Sequence, residues 1–194
     1  NGYQPHGTRF SAVRYGNVAG SRGSVIEIWR NLLAKGHQLS VTDSRMTRFW
    51  MSPHEAVRLV VWTALHGLRG GVVVPHLPAF WMKDLAGAML KPLDTYVISG
   101  IRPGEKLAEQ LLTDDEQARA YFYATSDKTP VMYVIPPAVQ HWGESDERAL
   151  WQTAPEETVY GRCEHDVARQ VVYRSDVWPW RLGIEDLQQR LKDV

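Results

Sequence analysis

The stretch that most constrains the fold is SPHEAVRLVVWTALHGLRGGVVV, residues 52–74. It opens with the signals of a helix start: Ser52 stands at the N-cap position, Pro53 at the first helical position and Glu55 three residues after the cap. A pair of glycines then ends the helix and leads into the β-branched run at residues 72–74. A helix that turns directly into an apolar strand is typical of α/β proteins.

The same alternation of strand and helix signals runs through the first 112 residues. Residues 9–18 first alternate between polar and apolar side chains and then become mainly apolar, as a strand does on entering a sheet that is covered on both faces. A helix follows, with Ser24 as its N-cap and Gly36 as its stop. We therefore predict an α/β fold. The other predicted elements are strands at residues 38–43, 72–74 and 96–101 and helices at residues 82–90, 104–112 and 183–194.

Composition narrows the classes of function. The 194 residues include 22 basic and 22 acidic side chains, so no excess charge favours a nucleic acid as partner. The single cysteine, Cys163, excludes an intramolecular disulfide, and the 7 histidines are scattered without metal-ligand spacing. No apolar run is long enough to span a membrane. We expect a cytoplasmic chain, and we expect missing upstream coding sequence because no initiating Met is present.

The stretch RYGNVAGSRGSV, residues 14–25, lies between a predicted strand and a predicted helix, where nucleotide-binding loops occur. Its glycines do not have the G-x-G-x-x-G spacing of the dinucleotide motif, and the P-loop lysine is absent. A turn without a ligand is therefore an open alternative. Two side chains favour a ligand: Asn17 both donates and accepts hydrogen bonds, and Arg22 puts a positive charge beside a helix N-terminus.

Two further arginine clusters follow at predicted junctions between elements. DSRMTRFW contains Arg45 and Arg48 ahead of a capped helix, and IRPGEKL places Arg102 at the end of a strand. A guanidinium offers parallel donors to two phosphate oxygens, so arginines at such junctions suit a diphosphate. The alternative is that each arginine pairs with a nearby acid such as Asp43 or Glu105. Because three such junctions occur in one chain, we favour the diphosphate.

Three motifs in order carry a resemblance to a known family. RYGNVAGSRGSV, TDSRMTRFW and GIRPGEKLAEQLL resemble the UDP-N-acetylglucosamine 4,6-dehydratases and their polysaccharide-biosynthesis relatives, which are extended short-chain dehydrogenases/reductases. The resemblance covers about residues 8–112 and resumes at residues 171–191. It implies two parts: residues 1–112 as the end of a Rossmann sheet with the nucleotide-sugar-binding domain, and residues 113–194 as a C-terminal extension with mixed strands and a terminal helix.

The resemblance also implies that half of the family's fold is absent. Family members carry an N-terminal Rossmann half with a glycine motif and a Tyr-x-x-x-Lys pair, and no tyrosine of this chain has a lysine four residues later. In the family that pair would lie upstream of Asn1. The implied fold class is the C-terminal part of an extended short-chain dehydrogenase: the last Rossmann strand plus a small α/β substrate-binding domain, with the N-terminal Rossmann half missing.

The resemblance implies a chemistry and a set of site residues. In such dehydratases NAD(P) takes a hydride from sugar C4 and returns it to C6 after water is lost across C5 and C6, while the Tyr is the base for the C4 hydroxyl. Glu105 would accept from a ribose hydroxyl or fix an arginine, and the arginines would clamp the diphosphate. The predicted substrate-binding residues are Asn17, Arg22, Thr42, Arg48, Arg102 and Glu105, and the predicted cofactor contacts are Tyr15 and Val18.

The sequence therefore predicts the UDP-sugar-binding portion of an NAD(P)-dependent UDP-N-acetylglucosamine 4,6-dehydratase, with no turnover or cofactor retention by this chain alone. Two alternatives stay open: a non-catalytic nucleotide-sugar-binding or interaction module, and a fragment of a UDP-sugar 4-epimerase. UDP-N-acetylglucosamine is the first candidate ligand. The strand at residues 9–18 would leave an exposed apolar edge, so we expect a homo-oligomer or a partner that supplies the missing Rossmann half. The preference between NAD and NADP stays open.

Overall fold

The computed structural model describes residues 10–67, 70–124, 130–137, 159–162 and 173–194. By contacts the chain forms two compact units, each assembled from three separate stretches of sequence. The first unit takes residues 1–15, 55–76 and 111–173, and the second takes residues 16–54, 77–110 and 174–194. The predicted boundary at residues 112–113 divides the chain by resemblance and not by contact, and it stays a prediction.

The described residues form a mixed α/β structure, which confirms the predicted class. The strands are β1 (Ala12–Val13), β2 (Asn17–Val18), β3 (Leu39–Val41), β4 (Thr47–Met51), β5 (Val72–Pro75), β6 (Ala79–Trp81), β7 (Tyr96–Ile98), β8 (Tyr121–Ala124), β9 (Pro130–Ile135) and β10 (Val159–Arg162). The helices are α1 (Val25–Ala34), α2 (Pro53–His66), α3 (Met82–Met89), α4 (Asp114–Arg119) and α5 (Ile184–Arg190), which a 3-10 turn at Leu191–Asp193 continues.

The first unit is built on a five-stranded sheet in the order β1-β5-β9-β8-β10. β1 and β5 are parallel, and the remaining neighbours are antiparallel. Val73 and Val74 of β5 point to opposite faces and are both fully buried, which agrees with the continuous apolar run at this position. Tyr173 is also fully buried, and its hydroxyl donates to the Pro75 carbonyl at 2.7 Å.

Arg14 and α4 are joined within the first unit. Thr113 caps α4 in a capping box: its hydroxyl accepts from the Glu116 backbone N–H, while the Glu116 carboxylate accepts from the Thr113 N–H. The same carboxylate accepts two hydrogen bonds from Arg14, at 2.7 and 2.8 Å. The Arg14 bonds hold the pKa of Glu116 at about 2, below its ordinary value of 4.5.

The second unit contains two small sheets and three helices. β2 pairs in parallel with β4, which pairs antiparallel with β6, and β3 pairs in parallel with β7. The core between them is apolar and includes Ile26 and Trp29 of α1, Leu39 of β3, Leu85 of α3 and Leu187 of α5. These residues recur at helical or alternating spacing, so the hydrophobic pattern of the sequence fixes which face of each element is buried.

Most predicted elements are confirmed by the observed ones. The Ser24 hydroxyl caps α1 by accepting from the Glu27 N–H, and the chain leaves the helix at Gly36 with a φ of 72°. The predicted strand at residues 9–18 is interrupted, because β1 belongs to one unit and β2 to the other. Much of the weakly patterned region after residue 124 lies outside the described residues.

The predicted helix at residues 104–112 is wrong. Its backbone groups bond to other parts of the chain instead of to each other: the Leu107 carbonyl accepts from the Thr47 N–H, and Glu109 exchanges two hydrogen bonds with Ser175. Gln110 also forms a β-bridge to Arg174. Tertiary hydrogen bonds therefore override the local helical spacing of this segment.

Candidate functional site

The second unit contains a cavity of about 290 Å³. Its lining includes apolar and aromatic side chains, among them Trp29, Trp50, Phe80 and Leu85. It also includes polar residues. These are Asn17, Ser21, Ser24, Ser40, Thr42, Arg48 and Glu105. An apolar cleft that contains a few polar groups is the usual form of a small-molecule site.

The first turn of α1 contributes directly to the cavity. Ser24, Val25 and Ile26 all line it, and they are the N-cap and the first two residues of the helix. The first N–H groups of a helix have no partner within the helix and carry a partial positive charge. This part of the cavity wall therefore favours an anionic or strongly accepting ligand group.

Thr42 and Glu105 meet at the cavity although they lie 63 positions apart in sequence. Thr42 directly follows β3, and the Ser99 N–H bonds to Val41 after β7, so the parallel pair brings the ends of both strands together. The Thr42 hydroxyl donates to a Glu105 carboxylate oxygen at 3.3 Å. The other carboxylate oxygen accepts from the Arg102 backbone N–H at 3.2 Å. Glu105 is thereby held at the cavity as a hydrogen-bond acceptor.

Arg48 is the one cationic residue among those that line the cavity. Only 12% of its side chain is exposed. Its Nη1 donates to the Thr47 carbonyl at 2.7 Å and to the Leu107 carbonyl at 3.3 Å, and its Nε lies 3.5 Å from a Glu109 carboxylate oxygen. Burial lowers the pKa of Arg48, and the charges of Glu109 and Glu105 oppose that shift. The guanidinium stays charged, because an arginine pKa lies far above neutral pH.

Asn17 and Val18 reach the cavity from β2. This strand pairs with Trp50 and Met51 of β4, so the register of both residues against β4 is fixed, and β4 also carries Arg48. Gly16 comes immediately before them, and a Cβ at this position would lie 2.7 Å from the Phe49 Cβ. Only a glycine permits this close approach of β2 to β4.

The structure brings five of the eight predicted site residues to the cavity: Asn17, Val18, Thr42, Arg48 and Glu105. Arg22 and Arg102 are exposed and do not line it. Tyr15 belongs to the first unit and is 43% exposed. The roles assigned to all eight residues stay predictions.

The alternative in which each arginine pairs with a nearby acid applies to Arg45. It forms a salt bridge of 2.8 Å with Asp43, and hydrogen bonds from Arg45 hold the pKa of Asp43 at about 2. Arg48 also has an acidic neighbour, but that neighbour is Glu109, which the sequence did not single out. Arg102 contacts Glu105 through its backbone N–H.

Sequence reasoning missed several residues of the cavity wall. Trp29 and Trp50 are buried, as expected of packing residues, and they also line the cavity. Ser40 is a polar residue between the buried Leu39 and Val41 in β3, and this break in an apolar strand was an available signal. Because packing and ligand-facing aromatic residues have the same pattern, sequence alone does not separate them.

Within the described ranges, no group of three or more His, Cys, Asp or Glu side chains is arranged to hold a metal ion. Over those same ranges, no helix is long and apolar enough to cross a membrane.

Comparison with known proteins places the chain in a family. A model of the polysaccharide biosynthesis protein family matches residues 1–129. A UDP-N-acetylglucosamine 4,6-dehydratase (inverting) of Campylobacter jejuni is 43% identical over 126 residues, covering 61% of this chain and 37% of the relative. A UDP-glucose 4-epimerase of Rickettsia massiliae is 39% identical over 119 residues, covering 60% of this chain and 35% of the relative.

A solved structure extends the similarity beyond the matched segment. The X-ray structure of Pen from Bacillus thuringiensis superposes with a TM-score of 0.73 at 27% identity, covering 95% of this chain and 50% of that one. Of the two curated relatives above, the chain spans only 37% and 35% of the length. These matches confirm the resemblance drawn from the three motifs: the chain belongs to the polysaccharide biosynthesis protein family, as a partial extended short-chain dehydrogenase/reductase.

Proposed function

We propose that this chain carries the UDP-sugar-binding portion of an NAD(P)-dependent UDP-N-acetylglucosamine 4,6-dehydratase, and that it does not turn over substrate alone. The observation that carries the proposal is the cavity of the second unit, whose lining combines aromatic side chains with the polar side chains of Asn17, Thr42, Arg48 and Glu105. A nucleotide sugar needs both kinds of partner, because it has a flat base as well as hydroxyl and phosphate groups.

The polar residues that line the cavity differ in charge. Glu105 is an acceptor that already takes two hydrogen bonds, so it suits the hydroxyl groups of a ribose and would repel a phosphate. Arg48 supplies the positive charge, and the first turn of α1 supplies backbone N–H donors. We therefore place the diphosphate toward Arg48 and Ser24, and the ribose toward Thr42 and Glu105.

One arginine does not balance a diphosphate in this environment. The single charge of Arg48 is partly offset by Glu109 and Glu105, whereas a diphosphate brings about two negative charges. Arg22 and Arg102 are exposed and flank segments that reach the cavity, since Ser21 and Glu105 line it. We propose that both side chains turn toward the diphosphate when it binds.

The cofactor would be held mainly outside this chain. NAD(P) would supply the hydride acceptor, and Tyr15 and Val18 would contact only its nicotinamide end. The Tyr-x-x-x-Lys pair does not occur in the sequence. We therefore expect no dehydration of UDP-N-acetylglucosamine by this chain with added NAD(P), which analysis of the nucleotide-sugar products by NMR would check.

Binding is tested by calorimetry with UDP and UDP-N-acetylglucosamine. We expect both to bind, and we expect Arg102→Ala to weaken UDP binding by about 1–3 kcal/mol, as for a charged hydrogen bond to phosphate. Arg45→Ala is a matched control, because Arg45 pairs with Asp43 and does not line the cavity. Absence of binding for both ligands would reject the proposal and leave an interaction module without this ligand.

A UDP-sugar 4-epimerase fragment is a second candidate. The supporting observation is that relatives named UDP-glucose 4-epimerase match at 39% identity, close to the 43% of the dehydratase. Comparing the affinities for UDP-glucose and UDP-N-acetylglucosamine in the same titrations separates the two. If the chain is part of a dehydratase, we expect it to bind UDP-N-acetylglucosamine more tightly than UDP-glucose. If it is part of an epimerase, we expect no such preference.

The first unit offers a surface for association. β1 is the outermost described strand of its sheet. The N–H groups of Ala12 and Arg14 bond to the neighbouring strand segment at β5. Because backbone groups alternate along a strand, the N–H group of Val13 points outward. The outer face of α2 is apolar as well. It exposes Val57, Val60, Val61 and Leu65. Exposed strand edges and apolar helix faces promote association.

We propose that the chain alone in solution covers this surface with a second copy of itself. A separate chain carrying a Rossmann half is the other occupant consistent with the surface. Light scattering should give a dimer or larger species, and Val61→Lys should shift it toward the monomer, while Arg58→Lys on the same helix should not. A monodisperse wild-type monomer would contradict this proposal.

A further inference from the structure

Arg48 is held on two of its three guanidinium nitrogens. Its Nη1 donates to the carbonyls of Thr47 and Leu107, and its Nε faces the Glu109 carboxylate at 3.5 Å. Its Nη2 forms no hydrogen bond with any residue that the structure describes. Since Arg48 lines the cavity, Nη2 is the nitrogen left for a ligand.

Glu109 is itself fixed by a buried polar pair. Its N–H donates to the Ser175 hydroxyl at 2.9 Å, and its carbonyl accepts from the Ser175 N–H at 2.8 Å. The Ser175 and Thr47 hydroxyls share a hydrogen bond of 2.8 Å, and both residues are fully buried. The Thr47 N–H in turn bonds to the Leu107 carbonyl. Among the residues that the structure describes, the three polar partners of the Arg48 guanidinium therefore belong to one connected set of hydrogen bonds.

We propose that Glu109 is a positioning residue for Arg48, and that the Thr47–Ser175 pair holds Glu109 in place. The inference deepens the proposed function and rests on it, because it names how the phosphate-facing arginine is oriented. Without Glu109 the guanidinium loses the contact at its Nε and is held at Nη1 alone, so its plane is less firmly fixed. Ligand binding must then restrict the Arg48 side chain further, which costs conformational entropy. In the wild-type protein the side chain is already ordered before the ligand binds.

Glu109 also has a competing effect, which fixes the direction of the test. A carboxylate beside Arg48 reduces the attraction of that arginine for phosphate. Glu109 is about one-third exposed, so solvent screens this repulsion. The Arg48 side chain is only 12% exposed, so its orientation is determined by the protein groups around it. We therefore expect orientation to dominate, and removal of Glu109 to weaken phosphate binding.

The experiment compares UDP with uridine, which lacks phosphates, in calorimetric titrations of the full chain. Glu109→Gln should weaken UDP binding about threefold to tenfold and leave uridine binding unchanged. Ser175→Ala should have the same selective effect. Glu185→Gln, an exposed carboxylate on α5, removes the same charge away from the cavity and should change neither affinity.

A double-mutant cycle isolates the route through Arg48. In an Arg48→Gln background, Glu109→Gln should cause no further loss of UDP affinity, because the group it positions is gone. Additive losses would show that Glu109 acts independently of Arg48. Tighter UDP binding by Glu109→Gln would show that repulsion dominates. Either result would overturn the proposal.

A ligand-free measurement separates this inference from the proposed function. The Nε–H signal of Arg48 in a proton–nitrogen NMR spectrum should exchange slowly with water in the wild type and faster in Glu109→Gln. If UDP does not bind but this difference is present, the proposed ligand is wrong and the positioning stands. If UDP binds but Nε–H exchange is the same in both proteins, the positioning is wrong.

Discussion

The ion pair between Arg14 and Glu116 gives the first unit a pH dependence that the structure specifies. The two side chains share hydrogen bonds of 2.7 and 2.8 Å, and the pKa of Glu116 falls from 4.5 to about 2. A shift of this size corresponds to at most about 3 kcal/mol of stability. Because 37% of the Arg14 side chain is exposed, solvent screening reduces the expected contribution to about 1–2 kcal/mol.

The direction of the pH dependence of stability follows from the lowered pKa of Glu116. A carboxylate whose folded-state pKa is depressed stabilises the fold when it is ionised in both states, which holds above about pH 4.5. The contribution then disappears as the pH falls from about 4.5 toward 2. Glu116→Gln should therefore lower the free energy of unfolding by about 1–2 kcal/mol at pH 7 and by much less at pH 2.5.

Glutamine isolates the charge from the capping interaction. Its amide oxygen can still accept the Thr113 N–H, as the Glu116 carboxylate does at 3.0 Å. Asp115→Asn is the control, because Asp115 is exposed in the same helical turn. Urea unfolding of the three proteins at several pH values gives the differences directly. A difference between wild type and Glu116→Gln that stays constant from pH 7 to pH 2.5 would refute the reasoning.

Three further predictions concern stability. Gly16→Ala should destabilise the chain by about 1–3 kcal/mol in urea unfolding, because the new Cβ would lie 2.7 Å from the Phe49 Cβ, which is fixed to the backbone. An unchanged urea midpoint would contradict this. Burial lowers the pKa of His76 to about 4 from 6.5, so stability should fall as the pH drops from 6.5 to 4, and His76→Gln should reduce that fall; equal pH profiles would contradict this. Leu93 is fully exposed with a φ of 78°, so Leu93→Gly should raise the melting temperature by relieving about 1 kcal/mol of backbone strain, and a lower melting temperature would contradict this.

The elements that the sequence predicted well are those set by local interactions. The start of α1 is fixed by the Ser24 hydroxyl and its end by Gly36, and both signals lie within a few residues of the helix. The segment at residues 104–112 has helical spacing but is not a helix, because Ser175 and Thr47 take up its backbone groups. No pattern within the segment indicates hydrogen bonds to residues 60 or more positions away.

The same distinction applies to the candidate site. Arg48 was predicted because it stands ahead of a capped helix, at a junction where α/β proteins bind ligands, whereas Thr42 and Glu105 were implied by the resemblance to the family. Glu109 was missed because it lay inside the wrongly predicted helix, where it would have been an ordinary surface acid. Phe80 was missed because a buried aromatic residue beside a cavity has the same sequence pattern as one in the core.

The division of the chain into interleaved units has a consequence for its synthesis. The second unit needs residues 174–194, since Ser175 bonds to Thr47 and the Arg30 side chain bonds to the carbonyls of Leu191 and Val194. At a translation rate of about 5–20 residues per second, Asn17 leaves the ribosome roughly ten to thirty seconds before these partners exist. During that interval the aromatic side chains that line the cavity are exposed, so we expect the nascent chain to be a target for chaperones that bind apolar segments.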